Sequence, residues 1–167
     1  MKRSSLIHRA EGLYQAYEHL LNFLQDFLLL AIRLVWGIQL AQTGWGKFQD
    51  LAKVSGFFRD LGIPFPELNA PFVASVELFG GLFLALGLFG RLAPLPIIAT
   101  MVVAYATSEQ EALYALVHGN PDPVFAAAPF LILFAAILIW IFGPGRISLD
   151  TLGAKILAEK KLCAGRE

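Results

Sequence analysis

The chain has 167 residues, of which 57% are hydrophobic and 16% are charged, and its formal net charge is zero. Soluble domains average about 45–50% apolar and about 25% charged residues, and the mean hydropathy of +0.63 departs from them in the same direction. The composition therefore excludes an ordinary soluble domain and predicts an all-α, multi-pass membrane protein. The sequence has no stripe of basic residues interleaved with aromatic residues, so we expect no nucleic acid partner.

Residues 1–22 are predicted to form a cytoplasmic amphipathic helix. Leucine and tyrosine recur there at near-helical spacing, which is typical of a helix that lies on a membrane surface. The stretch lacks an apolar core followed by a small-residue cleavage site, so we do not expect a cleaved signal peptide.

Four apolar runs follow, each close to the length of about 20 residues that a membrane-spanning helix needs. They place the spans at residues 23–42, 70–89, 92–107 and 124–142, and so predict an integral membrane four-helix bundle over residues 23–145. The third run is short, but helix could continue toward His118. Pro94 and Pro96 suit the first turn of that helix, whereas Pro129 lies inside the fourth span and predicts a kink.

Two further segments are predicted to be interfacial helices. The long connection between the first two spans, residues 43–69, has apolar residues on one helical face and charged residues on the other, up to Gly62 and Pro64. Residues 146–167 are predicted to form a cytoplasmic tail with a short amphipathic helix from Ser148 to Leu162.

Lysine and arginine are unevenly divided between the two sides of this bundle. The side with both termini holds nine of them, and the other side holds three, namely Lys47, Lys53 and Arg59. The positive-inside rule places the richer side in the cytoplasm. We therefore expect both termini to lie in the cytoplasm.

Several kinds of redox chemistry are excluded by the residues present. The chain has one cysteine, Cys163, so it cannot form a dithiol by itself, and no cluster has the spacing of metal ligands. None of the three histidines lies in the middle of a span, which excludes a bis-histidine haem. Any redox centre is then a quinone, another bound small molecule or a partner's cofactor.

Two charges lie inside apolar runs, Arg33 in the first and Glu77 in the second. A charged side chain at the bilayer centre costs about 2.5–3.5 kcal/mol on insertion scales. Both lie on faces of small residues, which allow helices to approach closely. Their opposite signs predict an Arg33–Glu77 pair. It is either a structural clamp between the helices or part of a polar pocket that handles a proton or an anionic ligand.

A second group of polar residues follows Arg33 near the outer end of the first span. It could form a polar mouth at the membrane surface, and the alternative is a set of interfacial anchors. Its members are Gln39, Gln42, Trp45 and Lys47.

The segment 30–150 resembles the DoxX family of small four-span membrane proteins of bacteria and archaea. The resemblance rests on Gly44-x-x-Lys47-Phe48, on Glu77-Leu78-x-Gly80-Gly81 with the following Leu-Gly-Leu and Arg91, and on residues 143–150, which read Gly-Pro-Gly-Arg-Ile-Ser-Leu-Asp. It carries over six motif positions, namely Arg33, Lys47, Glu77, Arg91, Arg146 and Asp150.

The resemblance implies a multi-pass bundle in the cytoplasmic (inner) membrane of a prokaryote. It also implies a loose association with redox and thiol chemistry, because relatives include a quinone-reducing membrane subunit and a membrane partner of stress enzymes. We therefore expect the membrane subunit of a redox or oxidative-stress complex that hands electrons to quinone, with protein partners. The alternatives are a non-enzymatic scaffold and a small-solute transporter, although the sequence lacks the paired discontinuous helices of many transporters. A homo-oligomer is left open.

Overall fold

The structure, a computed structural model, describes the backbone of residues 2–164 and the side chains of residues 11–158. Within that part of the chain there are eight helices and no strand. The helices are α1 (Lys2–Gln49), α2 (Leu51–Asp60), α3 (Pro66–Leu86), α4 (Pro94–Thr107), α5 (Gln110–Val117), α6 (Asp122–Ala126), α7 (Pro129–Phe142) and α8 (Leu149–Ala164).

Four of these helices form the predicted bundle. α1 packs on α3, α3 on α4, α4 on α7 and α7 on α1, so they close a ring. Each contributes a side chain that is at most 2% exposed to the centre of that ring, namely Leu40, Leu84, Ile97 and Ile139. The all-α fold class is therefore confirmed.

α1 joins the predicted amphipathic segment to the predicted first span without a break at residue 22, and it is 48 residues long. The physical reason is local, since neither proline nor glycine occurs between Gly12 and Gly37 to end the helix. The described side chains of residues 11–28 are mostly outside the bundle. The surface location predicted for residues 1–22 stays a prediction.

The connection after α1 contains the predicted amphipathic helix in shortened form. Asp50 caps α2 by accepting a hydrogen bond from the backbone N–H of Lys53 at 3.0 Å, which satisfies one of the free donors at a helix start. Gly62 follows with a φ of +71°, the left-handed conformation that ends many helices. Only Phe58 of α2 is buried.

Proline decides the form of the last two predicted spans. Pro94 opens α4 as expected, and the helix ends at Thr107 before α5 begins. Pro129 does not kink a continuous helix, because the chain leaves helical geometry at Ala127 and Pro129 starts α7. Proline lacks the N–H that a continuous helix needs. α1 and α3 are long and apolar enough to span a membrane, while α4 and α7 are shorter apolar helices.

Glycines lie in the contact between α1 and α3, which is the most extensive contact between two helices in the described chain. A Cβ added to Gly37 would lie 2.7 Å from the backbone nitrogen of Ala85. A Cβ on Gly81 would lie 2.5 Å from the nitrogen of Ala41, and one on Gly44 would lie 2.8 Å from the carbonyl oxygen of Ala74. The two helices are antiparallel. At these positions only glycine, whose side chain is a single hydrogen atom, allows the backbones to approach so closely, and this fixes the register between the helices.

We predict that Gly44→Ala destabilises the protein, whereas Gly46→Ala does not. The new Cβ at Gly44 meets backbone atoms of α3 that cannot move aside, and overpacking of this kind costs about 1–3 kcal/mol. A Cβ at Gly46 would meet no described atom within 4 Å, so the gain in helix propensity remains. Thermal unfolding in mild detergent measures both, and equal melting temperatures would contradict this packing.

Candidate functional site: two polar clusters at opposite ends of the α1–α3 contact

Arg33 is buried at one end of the α1–α3 contact, with only 1% of its surface exposed. Its side chain packs against Gly87, the residue that ends α3. Its guanidinium donates hydrogen bonds to the carbonyl oxygen of Pro144 and, at 2.6 Å, to that of Ile147. The charge is therefore stabilised by main-chain dipoles rather than by a carboxylate in direct contact, although Asp150 is close enough to interact electrostatically.

The carbonyl groups that Arg33 binds belong to residues 143–150, here called the return segment, which follows α7. Two carboxylates fix it in place. Asp26 of α1 accepts a hydrogen bond from the backbone N–H of Arg146 at 2.9 Å. Asp150 accepts hydrogen bonds from the N–H groups of Phe89 and Gly90 at 3.0 and 2.6 Å.

The family-motif residues near this end thus divide into two kinds. Asp150 ties the return segment to the α3–α4 connection, whereas the side chains of Arg91 and Arg146 are exposed. Asp26 was not among the predicted site residues, although it is a third charge inside the apolar runs. Nothing local in the sequence marks Asp26 as a partner of residue 146, because the contact spans 120 positions.

Glu77 lies at the other end of the contact and is 4% exposed. It forms a salt bridge with Lys47 rather than with Arg33, so the predicted Arg33–Glu77 pair is wrong. Glu77 packs beside Gly44, which is eleven residues beyond Arg33 on α1. At 1.5 Å per residue this separates the two charges by about 16 Å along the helix.

A cavity of about 540 Å³ opens beside the Lys47–Glu77 pair, between the end of α1 and helices α2, α3 and α4. Its walls are mainly apolar and include Phe57, Phe72 and Met101. Oε2 of Glu77 is buried and has no hydrogen-bond partner among the described residues. The cavity therefore combines an apolar lining with the ammonium group of Lys47 and the unpaired carboxylate oxygen of Glu77. Mainly apolar walls with a few polar groups are usual for a small-molecule site.

The predicted polar mouth does not form as a group. Gln39, Gln42 and Trp45 are on the exposed side of α1, and none of them lines this cavity. Lys47 alone reaches it, because it follows Gly44 by three residues and so lies on the buried face. The side chains described contain no group of three potential ligands that could hold a metal ion.

We predict that Arg33→Met lowers the stability of the protein, while Arg91→Met leaves it nearly unchanged. Loss of the guanidinium removes two hydrogen bonds from a charged donor to partly buried carbonyl groups, at about 1.5–3 kcal/mol each. Arg91 is an exposed arginine at the same end of the bundle, so it controls for loss of charge. The measurement is the melting temperature in detergent, and similar values for the two variants would show that the carbonyl contacts do not matter.

Comparison with known proteins agrees with this architecture. The DoxX family model matches residues 28–110, a range from α1 into α5. An uncharacterized membrane protein of Mycobacterium tuberculosis is 30% identical over 73% of this chain and 78% of its own length. A Bacillus subtilis protein named "Putative oxidoreductase CatD" is 28% identical over 72% of this chain and 83% of its own length. No solved structure matches the chain significantly. The chain belongs to the DoxX family of membrane proteins.

Proposed function

We propose that the protein is the membrane subunit of a redox system and that the cavity beside Lys47 and Glu77 receives a quinone. The observation that supports this most directly is the pairing of a mainly apolar cavity with a buried, incompletely bonded ion pair. The name of the Bacillus subtilis relative is in line with an oxidoreductase role.

The size and lining of the cavity fit an aromatic head group. Small-molecule sites occupy about 300–1,000 Å³, and this cavity has about 540 Å³. Aromatic rings of α2 and α3 line it, among them Phe58 and Phe72. Hydroxyl groups in the wall, such as those of Thr107 and Ser108, already donate to carbonyl groups of their own helix. Asn69 also lines the cavity, and its amide nitrogen donates to the carbonyl oxygen of Pro64. Lys47 and Glu77 are the charged groups that the described lining offers for polar recognition.

Reduction of a quinone takes up two electrons and two protons. The ammonium group of Lys47 can donate a hydrogen bond to a ring oxygen, and the free Oε2 of Glu77 can accept one from a ring hydroxyl. A pair of this kind can also hold and pass on a proton at the site, because both groups are within reach of the same cavity.

The electrons would come from a partner protein. The sequence has a single cysteine, and the described part of the chain offers no cluster of metal ligands. A non-enzymatic accessory role is the second candidate, and one observation favours it. The Lys47–Glu77 bridge joins the two helices that pack most extensively, so it would serve well as a clamp between them.

We predict that Ala104→Phe weakens quinone binding by at least about tenfold, or about 1.4 kcal/mol. The added ring would fill the cavity that Ala104 lines without touching the ion pair. Val102→Phe is the matched control, because Val102 is 53% exposed on the same helix and does not line the cavity. Binding of short-chain ubiquinone and menaquinone analogues to purified protein, followed by tryptophan fluorescence, gives the dissociation constants. If the native protein binds neither analogue, the accessory role is favoured.

Exchanging the charges of Lys47 and Glu77 tests whether the pair only holds α1 and α3 together or also binds quinone. Lys47→Glu alone places two carboxylates together and should lower the melting temperature. Adding Glu77→Lys restores opposite charges, so we expect stability to recover while quinone binding does not, because donor and acceptor have changed places. Recovery of both properties would mean that the pair acts only as a clamp.

A further inference from the structure

A second cavity, of about 430 Å³, lies at the Arg33 end of the bundle. It opens to the surface and is lined by α1, the end of α3, the return segment and the start of α8. Three cationic side chains line it, namely Arg33, Arg146 and Lys155, and none of the described carboxylates does. Its lining is therefore strongly cationic, whereas the cavity beside Glu77 has one cation and one carboxylate. The proposed function does not involve this second cavity.

Arg33 provides an independent sign that a ligand belongs here. Two of its three nitrogens donate to carbonyl oxygens of the return segment, but the buried Nε has no partner among the residues that the structure describes. An unsatisfied charged donor in a buried site is costly. An anionic oxygen in the cavity would provide an acceptor for the arginine that lines it.

The nearby carboxylates are already engaged. Asp150 accepts from two backbone N–H groups of the α3–α4 connection, and Asp26 accepts from the N–H of Arg146. Neither lines the cavity. Asp150 interacts with Arg33 electrostatically, but no described carboxylate lines the space that the three cations face. A phosphate group suits such a space because it offers several acceptors.

The rim of the cavity indicates that the anion is part of a lipid. Leu86 is 49% exposed and Leu152 is 54% exposed, so apolar surface adjoins the cationic interior. The cavity also lies level with the end of α3, one of the two helices long and apolar enough to span a membrane. Basic pockets between helices near a membrane surface are the sites where acidic phospholipid head groups bind.

We propose that this cavity binds the phosphate head group of an acidic phospholipid, with the acyl chains lying against the apolar rim. The positive-inside prediction puts the site in the cytoplasmic leaflet. The proposal is independent of quinone binding, since the two cavities lie at opposite ends of the α1–α3 contact.

The test compares two double variants with the same change in net charge. Arg146→Gln with Lys155→Gln removes two cations of the cavity, and Lys53→Gln with Arg91→Gln removes two exposed cations outside it. Arg33 stays in place in both, so the fold is preserved. Purified, delipidated protein is titrated with cardiolipin, phosphatidylglycerol, phosphatidylcholine or inorganic phosphate, and bound lipid is measured by native mass spectrometry.

We expect native protein and the control pair to bind cardiolipin or phosphatidylglycerol in preference to phosphatidylcholine. The cavity pair should bind the acidic lipids about 30-fold more weakly. Equal binding of phosphatidylcholine, or an equal loss in the control pair, would overturn the proposal. Displacement of the lipid by millimolar inorganic phosphate would also overturn it and assign the cavity to a soluble anion.

Discussion

The buried guanidinium of Arg33 needs hydrogen-bond acceptors, and this need determines how the return segment packs against α1. Arg33 is only 1% exposed, on a helix that packs closely against α3, so its charge requires oxygen acceptors from the protein. The return segment supplies them from the carbonyl groups of Pro144 and Ile147. This explains why a glycine- and proline-rich stretch distant in sequence is held against α1 rather than forming a loose link to α8.

The glycine contact between α1 and α3 is the second constraint, and it separates the two buried charges. Because the helices are antiparallel, each step toward the end of α1 moves toward the start of α3. Gly37 meets Ala85 and Gly44 meets Ala74, so Arg33 and Glu77 fall at opposite ends of the contact. Each charge then acquires its own partners and its own cavity.

The two cavities differ in their lining, so they suit different kinds of ligand. Beside Glu77 the space is mainly apolar with one balanced ion pair, and this suits a neutral, hydrophobic molecule that exchanges protons. Beside Arg33 the space is cationic with an apolar rim, and this suits an anionic lipid. The proposed quinone site and the proposed lipid site would thus lie at the two ends of one helix pair.

The sequence by itself determined the membrane class, the helical content and the small-residue faces of α1 and α3, because these depend on composition and on spacing along one helix. It also singled out Arg33 and Glu77 as charges inside apolar runs, and Lys47 and Asp150 as positions of the family motifs. Only the tertiary structure decided which residues pair, because partners depend on the register between helices and on a chain segment more than 100 positions away. A shift of a few turns in that register would have made the Arg33–Glu77 contact correct, and nothing in the sequence of either helix alone excludes such a shift.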